Sequence, residues 1–469
     1  MLAATVDRPP PPPGPYLVAG LGRAGQAATR ALAERGKTVV AWDSADTEAV
    51  RAAAAEAEAL GVRVRLGGDG RELLAGIGTI VKSPGIPLGA PLLVEARARG
   101  ITAIDEIELA WRLDRRPLVA VTGTNGKSTV AAMVAAALET AGVRTAVAGN
   151  TQVGPALSAL APEAADVVVA EVSSFQLEAC PALLPDAAAF TNLTEDHLDR
   201  HGTMAEYERC KRRLFVRDAT AVPVAAVNVD DDAGRRLARD LNASRVATAG
   251  RAPDADYALD GPPERLTVRA PHGRLDLVPH LPGEHNAANA ALALALAGAL
   301  GVDERAAAAA IADTEAPPGR FELIRVGQPF TAVVDFAHNG AGVAAALEAA
   351  RAFVDGGRLR AVIGALEAVT TLEQRRAMAR AAGGIADEVI VTSDPIWADD
   401  RSASGLVEAA PGSTVVDDRA SAIEEAVRRA RPGDVVIVLG RGMRVKLADG
   451  TEFDDGLALR AAIEASSRA

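Results

Sequence analysis

The chain has 469 residues, of which 49% are hydrophobic and 24% charged, and carries a net charge of −12 with a pI near 5.2. That is too long for one ordinary core and predicts about three domains, while the acidic balance excludes broad nucleic-acid binding. Cys180 and Cys210 provide no disulfide framework and suit a reducing cytoplasm, and no run is apolar for long enough to predict a membrane span.

Residues 1–15 are rich in proline and lack the basic and apolar regions of a secretion signal, so they read as a disordered tail. A first domain is expected over 16–115. Strand Tyr16–Ala19 leads into Gly20-Leu-Gly22-Arg-Ala-Gly25 and a helix, and the next strand ends at Asp43. Glycines at that spacing allow a tight turn and close approach of a pyrophosphate, with the acid placed for a ribose hydroxyl. The device suits a ribonucleotide diphosphate, NAD included. Thr79–Lys82 reads as another strand, ending in the turn Ser83-Pro84-Gly85.

A second domain is expected over 116–316. The apolar run Leu118–Thr122 is followed by Gly123-Thr124-Asn125-Gly126-Lys127-Ser128-Thr129 and an Ala-rich helix. A Gly-bearing turn feeding a helix N-terminus points backbone N–H groups at phosphate oxygens. Lys127 is placed for the β- and γ-phosphates, and the Ser128 or Thr129 hydroxyl for Mg²⁺. The spacing is shorter than the general Walker pattern. Asp166–Glu171 and Ala187–Phe190 are unbroken apolar runs, as in strands buried on both faces. Both end in polar clusters, where ligands of open α/β sheets sit. Glu171 is a candidate Mg²⁺ ligand. Ser173 and Ser174 either contact a phosphate or cap the helix that follows. His197 and His201 share one turn, and His197 is a candidate metal ligand. Lys211 lies in a basic helical stretch, Tyr207–Arg217, and by composition is a solvated lysine. Residues from Leu259 to His280 suggest a small antiparallel insertion, and Gly283–Asn289 opens a long Ala/Leu helix.

Pro317-Pro-Gly319 marks a boundary, and 317–469 alternates strands and helices as a third unit of Rossmann type. Arg320 is placed to clamp phosphates, and Asp335 to accept a ribose hydroxyl, with His338 and Asn339 in the turn beyond. The fold class expected is α/β throughout: a Rossmann-like domain, a central phosphate-loop domain with a parallel sheet, and a C-terminal Rossmann-like domain.

Taken together, Gly123–Thr129, Glu171–Glu178, Asn192–Arg200, Gly283–Asn289 and Gly319–Glu322 resemble the Mur ligase family of ATP-dependent amide ligases. The likeness covers about residues 16–325, and the two central motifs resemble the branch that adds D-glutamate to UDP-N-acetylmuramoyl-L-alanine. The resemblance implies that Gly22, Asp43, Ser83, Pro84 and Gly85 hold the UDP group. It implies that residues 123–129 bind ATP, that Asn150 and Ser173 line the substrate site, and that Asn289, Arg320 and Asp335 contact adenine, phosphate and ribose. Ser128, Glu171 and His197 would serve two Mg²⁺ sites, with Lys211 as a carbamylated lysine supporting the second. Lys127, His197 and Lys211 would be catalytic. A cytoplasmic monomer in peptidoglycan precursor synthesis is expected, with no nucleic-acid or membrane partner.

The third domain departs from that branch. Where it typically carries Asp-Ser-Lys-Ala-Thr-Asn, this chain has Asp335-Phe-Ala-His-Asn-Gly340, which is more similar to other ligases of the superfamily such as folylpolyglutamate synthetases. The lysine and threonine expected to grip glutamate are missing, and Arg441 or Arg444 are candidates for binding its carboxylates. Glutamate remains the expected amino acid, with L-glutamate or another amino acid as the alternative. Readings from other classes are an NAD-dependent oxidoreductase, which leaves residues 123–129 unexplained, and a silent nucleotide-binding regulator, which the intact Lys127, Glu171, His197 and Lys211 set disfavours.

Overall fold

Three parallel-stranded sheets, each flanked by helices, organise the chain in a computed structural model describing residues 6–150, 154–243, 245–365, 370–395, 405–442, 444–447 and 451–466. The first sheet has the order Arg63–Leu66, Val39–Asp43, Tyr16–Ala19, Thr79–Lys82, Thr102–Asp105, all parallel. Strand order reverses between Tyr16–Ala19 and Thr79–Lys82, which opens a crevice at their carboxyl ends. Gly20 and Ser83 meet there, with Ser83 Oγ donating to Gly20 O at 3.2 Å. Gly20 has φ +90°, and a Cβ on Gly25 would collide with Gly20 O, so the turn requires both glycines.

The central sheet has nine strands. Leu118–Thr122 lies between Val167–Glu171 and Ala187–Phe190, parallel to both. Beyond Ala187–Phe190 come Val224–Asn228, Arg245–Gly250 and Tyr257–Asp260, then the antiparallel strands Thr267–Ala270 and Gly273–Asp276, which realise the expected insertion. Helix Glu284–Ala299 is buried along almost its whole length and packs on the helix Lys127–Glu139 behind the phosphate loop. Its alanines let the two helices and the sheet approach closely around Val119, Val121 and Val134. The third sheet has the order Glu322–Leu323, Thr331–Asp335, Val435–Leu439, Leu359–Ile363, Glu388–Val391, Thr414–Val415, with only the first pair antiparallel.

Two expectations are corrected. The Pro-rich segment is ordered from residue 6 onward, the first five residues lying outside the described ones. Prolines supply no N–H donors, and the carbonyls they leave free are taken up by the domains: Arg112 Nη1 donates to Pro10 O at 2.8 Å and Thr79 Oγ1 to Pro13 O at 2.8 Å. The Arg8 guanidinium is 2% exposed and pairs with Asp186 of the central domain at 2.8 Å. The second correction is the Tyr207–Arg217 helix. It runs Met204–Arg212, capped by Thr203, and gives way to a hairpin of Val216–Arg217 with Thr220–Ala221. Asp218 and Ala219, with φ +44° and +66°, make the turn.

Candidate active site

Residues 123–129 cross from the end of a fully buried strand to the N-terminus of a helix. Gly123 and Gly126 have φ +150° and +83°. A Cβ on Gly123 would strike Thr191 Oγ1, and one on Gly126 would strike Asn289 Oδ1. The loop is pinned from outside its own segment. Thr124 N donates to Asn192 O at 2.8 Å, Asn125 N to Asn192 Oδ1 at 2.9 Å, and Thr191 Oγ1 to Asn125 O at 2.7 Å. Lys127 Nζ folds back to Thr124 O at 2.7 Å, and burial lowers its pKa. Its amine therefore lies over the loop expected to hold phosphates.

Ser128 Oγ donates to Glu171 Oε2 at 2.6 Å, and Asn150 Nδ2 to Glu171 Oε1 at 3.2 Å. A hydroxyl, a carboxylate and a carboxamide from three segments thus meet beside the loop. That donor set fits a hard divalent cation such as Mg²⁺.

Lys211 corrects its composition-based reading. It is 1% exposed, and Nζ donates to Gly123 O at 2.6 Å under the loop, 4.5 Å from the centre of the Tyr207 ring. Burial, then the neighbouring Lys127 charge, holds its pKa well below the usual lysine value. His197 sits in left-handed backbone with φ +53°, a strained conformation for a non-glycine residue. Its ring lies 4.7 Å from that of Phe175. Burial and nearby cations lower its pKa to about 4, so the imidazole is neutral near pH 7 and can act as a ligand.

The third domain closes over the same place. Arg320 Nη2 reaches Ser128 Oγ at 3.4 Å, and its guanidinium stacks on Phe336. Asn339 and Asn125 exchange side-chain hydrogen bonds at 3.2 and 3.4 Å. Asp196 accepts from Gln374 Nε2 at 2.8 Å and Asn339 Nδ2 at 3.3 Å, and its carboxylate lies 3.6 Å from His338 Nε2. Burial opposes ionisation of Asp196, but His338, His197 and Lys127 hold it well below the usual carboxylate range. Among the described residues, Asp196, His197 and His338 are a cluster with metal-ligand geometry drawn from two domains. A cavity of about 260 Å³ beside them is lined by Asn125, Thr129, Asn289, Arg320, Asp335 and His338.

The structure brings together Gly123 to Thr129, Asn150, Glu171, His197, Lys211, Asn289, Arg320 and Asp335. Asp335 already accepts from Phe321 N and Ala337 N, both at 2.7 Å, and so shapes the turn as well as lining the cavity. Gly22, Asp43, Ser83, Pro84 and Gly85 cluster at the first-domain crevice. There Asp43 closes the glycine-rich turn by accepting from Leu21 N at 2.7 Å. Arg200 Nη1 donates to Gly85 O, and Nη2 to Pro84 O, each at 3.2 Å, which ties that crevice to the central domain.

Ser173 is the N-cap of helix Ser174–Leu177 in a capping box with Gln176, so the capping alternative holds and its hydroxyl is engaged locally. Arg444 is 60% exposed and pairs with Glu452, away from the loop. Arg441 is buried against Asp394 at 3.1 Å, and its Nε has no hydrogen-bond partner. Sequence reasoning reaches Asn192 only as the start of the Asn192–Arg200 motif, without its role in pinning the loop, and misses Gln374, which lies 178 positions from its partner with no local signal.

Among the described residues no helix is long and apolar enough to cross a membrane. The profile of the Mur ligase MurD-like N-terminal domain matches residues 15–105, that of the Mur ligase middle domain 121–297, and that of the Mur ligase glutamate ligase domain 319–442. The UDP-N-acetylmuramoylalanine--D-glutamate ligase of a Jannaschia species is 35% identical over 464 residues, covering 90% of this chain and 92% of that protein. The enzyme of the same name from Gloeobacter violaceus is 37% identical over 315 residues, 66% of this chain and 68% of that protein. Among solved structures, the UDP-N-acetylmuramate-alanine ligase MurC of Thermotoga maritima superposes with a TM-score of 0.60 at 18% identity, over 97% of this chain and all of that one. A Mycobacterium tuberculosis folylpolyglutamate synthase complexed with ADP and AMPPCP gives 0.57 at 20%, over 74% of this chain and 91% of that one. The first of these two likenesses spans all three sheets and confirms that architecture. With three family domains matched in order and relatives above 30% identity along most of its length, the chain belongs to the Mur ligase family of ATP-dependent ligases.

Proposed function

We propose that the protein joins glutamate, the D enantiomer favoured, to the free carboxylate of UDP-N-acetylmuramoyl-L-alanine at the expense of ATP. The observation that carries this reading is the meeting of Lys127, the Ser128–Glu171 pair and buried Lys211 at the carboxyl ends of adjacent central strands. A carboxylate resists attack by an amine because oxide is a poor leaving group. Its oxygen attacks the γ-phosphorus, the bond to the β-phosphate oxygen breaks, and ADP departs. The amine then attacks the acyl carbon, phosphate leaves, and the amine proton is lost. Lys127 and the loop N–H groups neutralise charge that builds on the transferring phosphoryl group. Ser128, Glu171 and Asn150 would hold Mg²⁺, which supplies further neutralisation of phosphate charge. Arg320 clamps phosphate from the third domain, and contacts of Asp196 with Gln374 and Asn339 keep that domain closed against water.

Lys211 is suited to carbamylation, because an uncharged amine is the form that adds CO₂ and its environment favours that form.

A specific observation supports a second reading, a different amino acid or L-glutamate. Asp335-Phe-Ala-His-Asn339 replaces the branch's usual segment, and Ala337 stands where that segment carries its lysine. Purified protein offered UDP-N-acetylmuramoyl-L-alanine, ATP and a panel of amino acids in both enantiomers decides between them by product mass and chiral analysis. The favoured reading requires D-glutamate to be the preferred substrate. Lys127→Ala abolishes ATP-dependent phosphate release if the loop assignment is correct.

A further inference from the structure

Three buried arginines have acids beside them: Arg8 has Asp186, Arg360 has Asp434, and Arg419 has Asp455. Two half-buried arginines and an exposed one lie together in a different setting. At the junction of the first and central domains, a cavity of about 440 Å³ is lined by Arg97, Arg213 and Arg217. Among the described residues none of the three forms an ion pair. Arg213 Nη1 donates to the carbonyls of Leu177 and Glu178 at 3.3 and 3.1 Å, and Arg217 Nε to Leu183 O at 3.3 Å. Arg217 Nη2 is buried with no hydrogen-bond partner. Burial lowers the Arg217 pKa, so its charge is held there at a cost that an anion offsets.

The acids nearby are already engaged. Glu178 lines the cavity, but Arg200 takes its two oxygens at 2.9 and 2.6 Å. Glu108 accepts from Arg112 and from the Ala182 and Leu183 amides. The Cys180 thiol, also in the lining, is kept protonated by burial. Leu88, Leu93 and Ile101 add apolar surface to the lining.

We propose that this cavity binds a small phosphomonoester with an apolar body. Guanidinium forks match phosphate oxygens in pairs, and three of them exceed what a single carboxylate satisfies. The volume lies within the range of about 300–1,000 Å³ that holds one small ligand. The site is separate from the phosphate loop and from the glycine-rich crevice, yet it is coupled to the latter. Arg200, which holds Glu178, also donates to the carbonyls of Pro84, Gly85 and Ile86. A ligand drawing on this region therefore alters the turn expected to hold the UDP substrate. Binding stands independently of the proposed reaction, and only its consequence for the UDP substrate rests on that reading.

The test is calorimetric titration of phenyl phosphate into the full chain carrying Lys127→Ala, which weakens competition from the phosphate loop. Saturable binding at one site is expected, weakened at least about tenfold when Arg97→Gln and Arg213→Gln are added. Phenol, with the same body and no phosphate, is expected not to bind. Arg97 is exposed, so Arg97→Gln alone reads the site without disturbing packing, and its melting temperature checks the fold. Absence of saturable binding up to about 10 mM, or equal affinity with the arginines replaced, overturns the proposal. So does phenol binding as tightly as phenyl phosphate. Absence of ligase activity in the wild-type chain, with phenyl phosphate binding intact, would count against the proposed function alone.

Discussion

Gln374 Nε2 donates to Asp196 Oδ1 at 2.8 Å, and through that bond the C-terminal domain grips the residue immediately before His197. Both side chains are buried, at 5% and 2% exposure, so the bond is made away from water to an ionised acceptor. Hydrogen bonds of that kind are worth about 1.5–3 kcal/mol. The bond links domain closure to the backbone strain at His197 and to the neighbouring imidazole of His338.

Gln374→Ala is expected to leave the fold intact and to lower kcat/KM by about tenfold or more, because the C-terminal domain loses its direct hold on Asp196. Steady-state kinetics alongside a thermal melt check this. Unchanged kinetics would mean that closure does not depend on this contact.

Arg8→Ala should destabilise the protein by about 3 kcal/mol, read from urea unfolding. The substitution strands Asp186 in a buried site, although the Leu118 and Val6 amides still donate to it at 2.9 and 3.2 Å. Loss below about 0.5 kcal/mol would show the proline segment to be a passive passenger.

Glu106 gives stability a pH dependence. Burial raises its pKa from 4.5 to about 7, with Ser158 N donating to it at 2.7 Å. The native state therefore keeps a proton that the unfolded chain releases. Stability contributed by that proton is present below pH 4.5 and is lost as pH rises to about 7, by an amount of order 3 kcal/mol. Glu106→Gln should flatten the fall between pH 5 and 7 in a series of denaturant melts. A wild-type slope that survives the substitution would assign it to another group.

The phosphate loop was legible because its chemistry is local. Gly123 and Gly126 are fixed by backbone angles, and Lys127 to Thr129 by their place at a helix start. Glu171 was legible for the same reason, as a polar residue ending an apolar strand. Lys211 was not, apart from the family resemblance: in an Arg-rich helix it reads as solvated, and its burial arises from packing beneath Gly123, 88 positions away. The segment 6–15 misled for a related reason. Its composition is that of a loose tail, while the contact that orders it joins Arg8 to Asp186, 178 positions on. Of the two arginines that residue type offers for a carboxylate, the fold turns Arg444 outward to Glu452 and buries Arg441 against Asp394, a difference set by packing and not by local sequence.

The central claim is that ATP converts a substrate carboxylate into an acyl phosphate beside Lys127, Glu171 and Lys211. Its most direct test uses UDP-N-acetylmuramoyl-L-alanine labelled with ¹⁸O in the alanine carboxylate, with ATP and glutamate. One labelled oxygen in each phosphate released, read by mass spectrometry, is the predicted result. Phosphate released alongside ligated product without carboxylate label would contradict it.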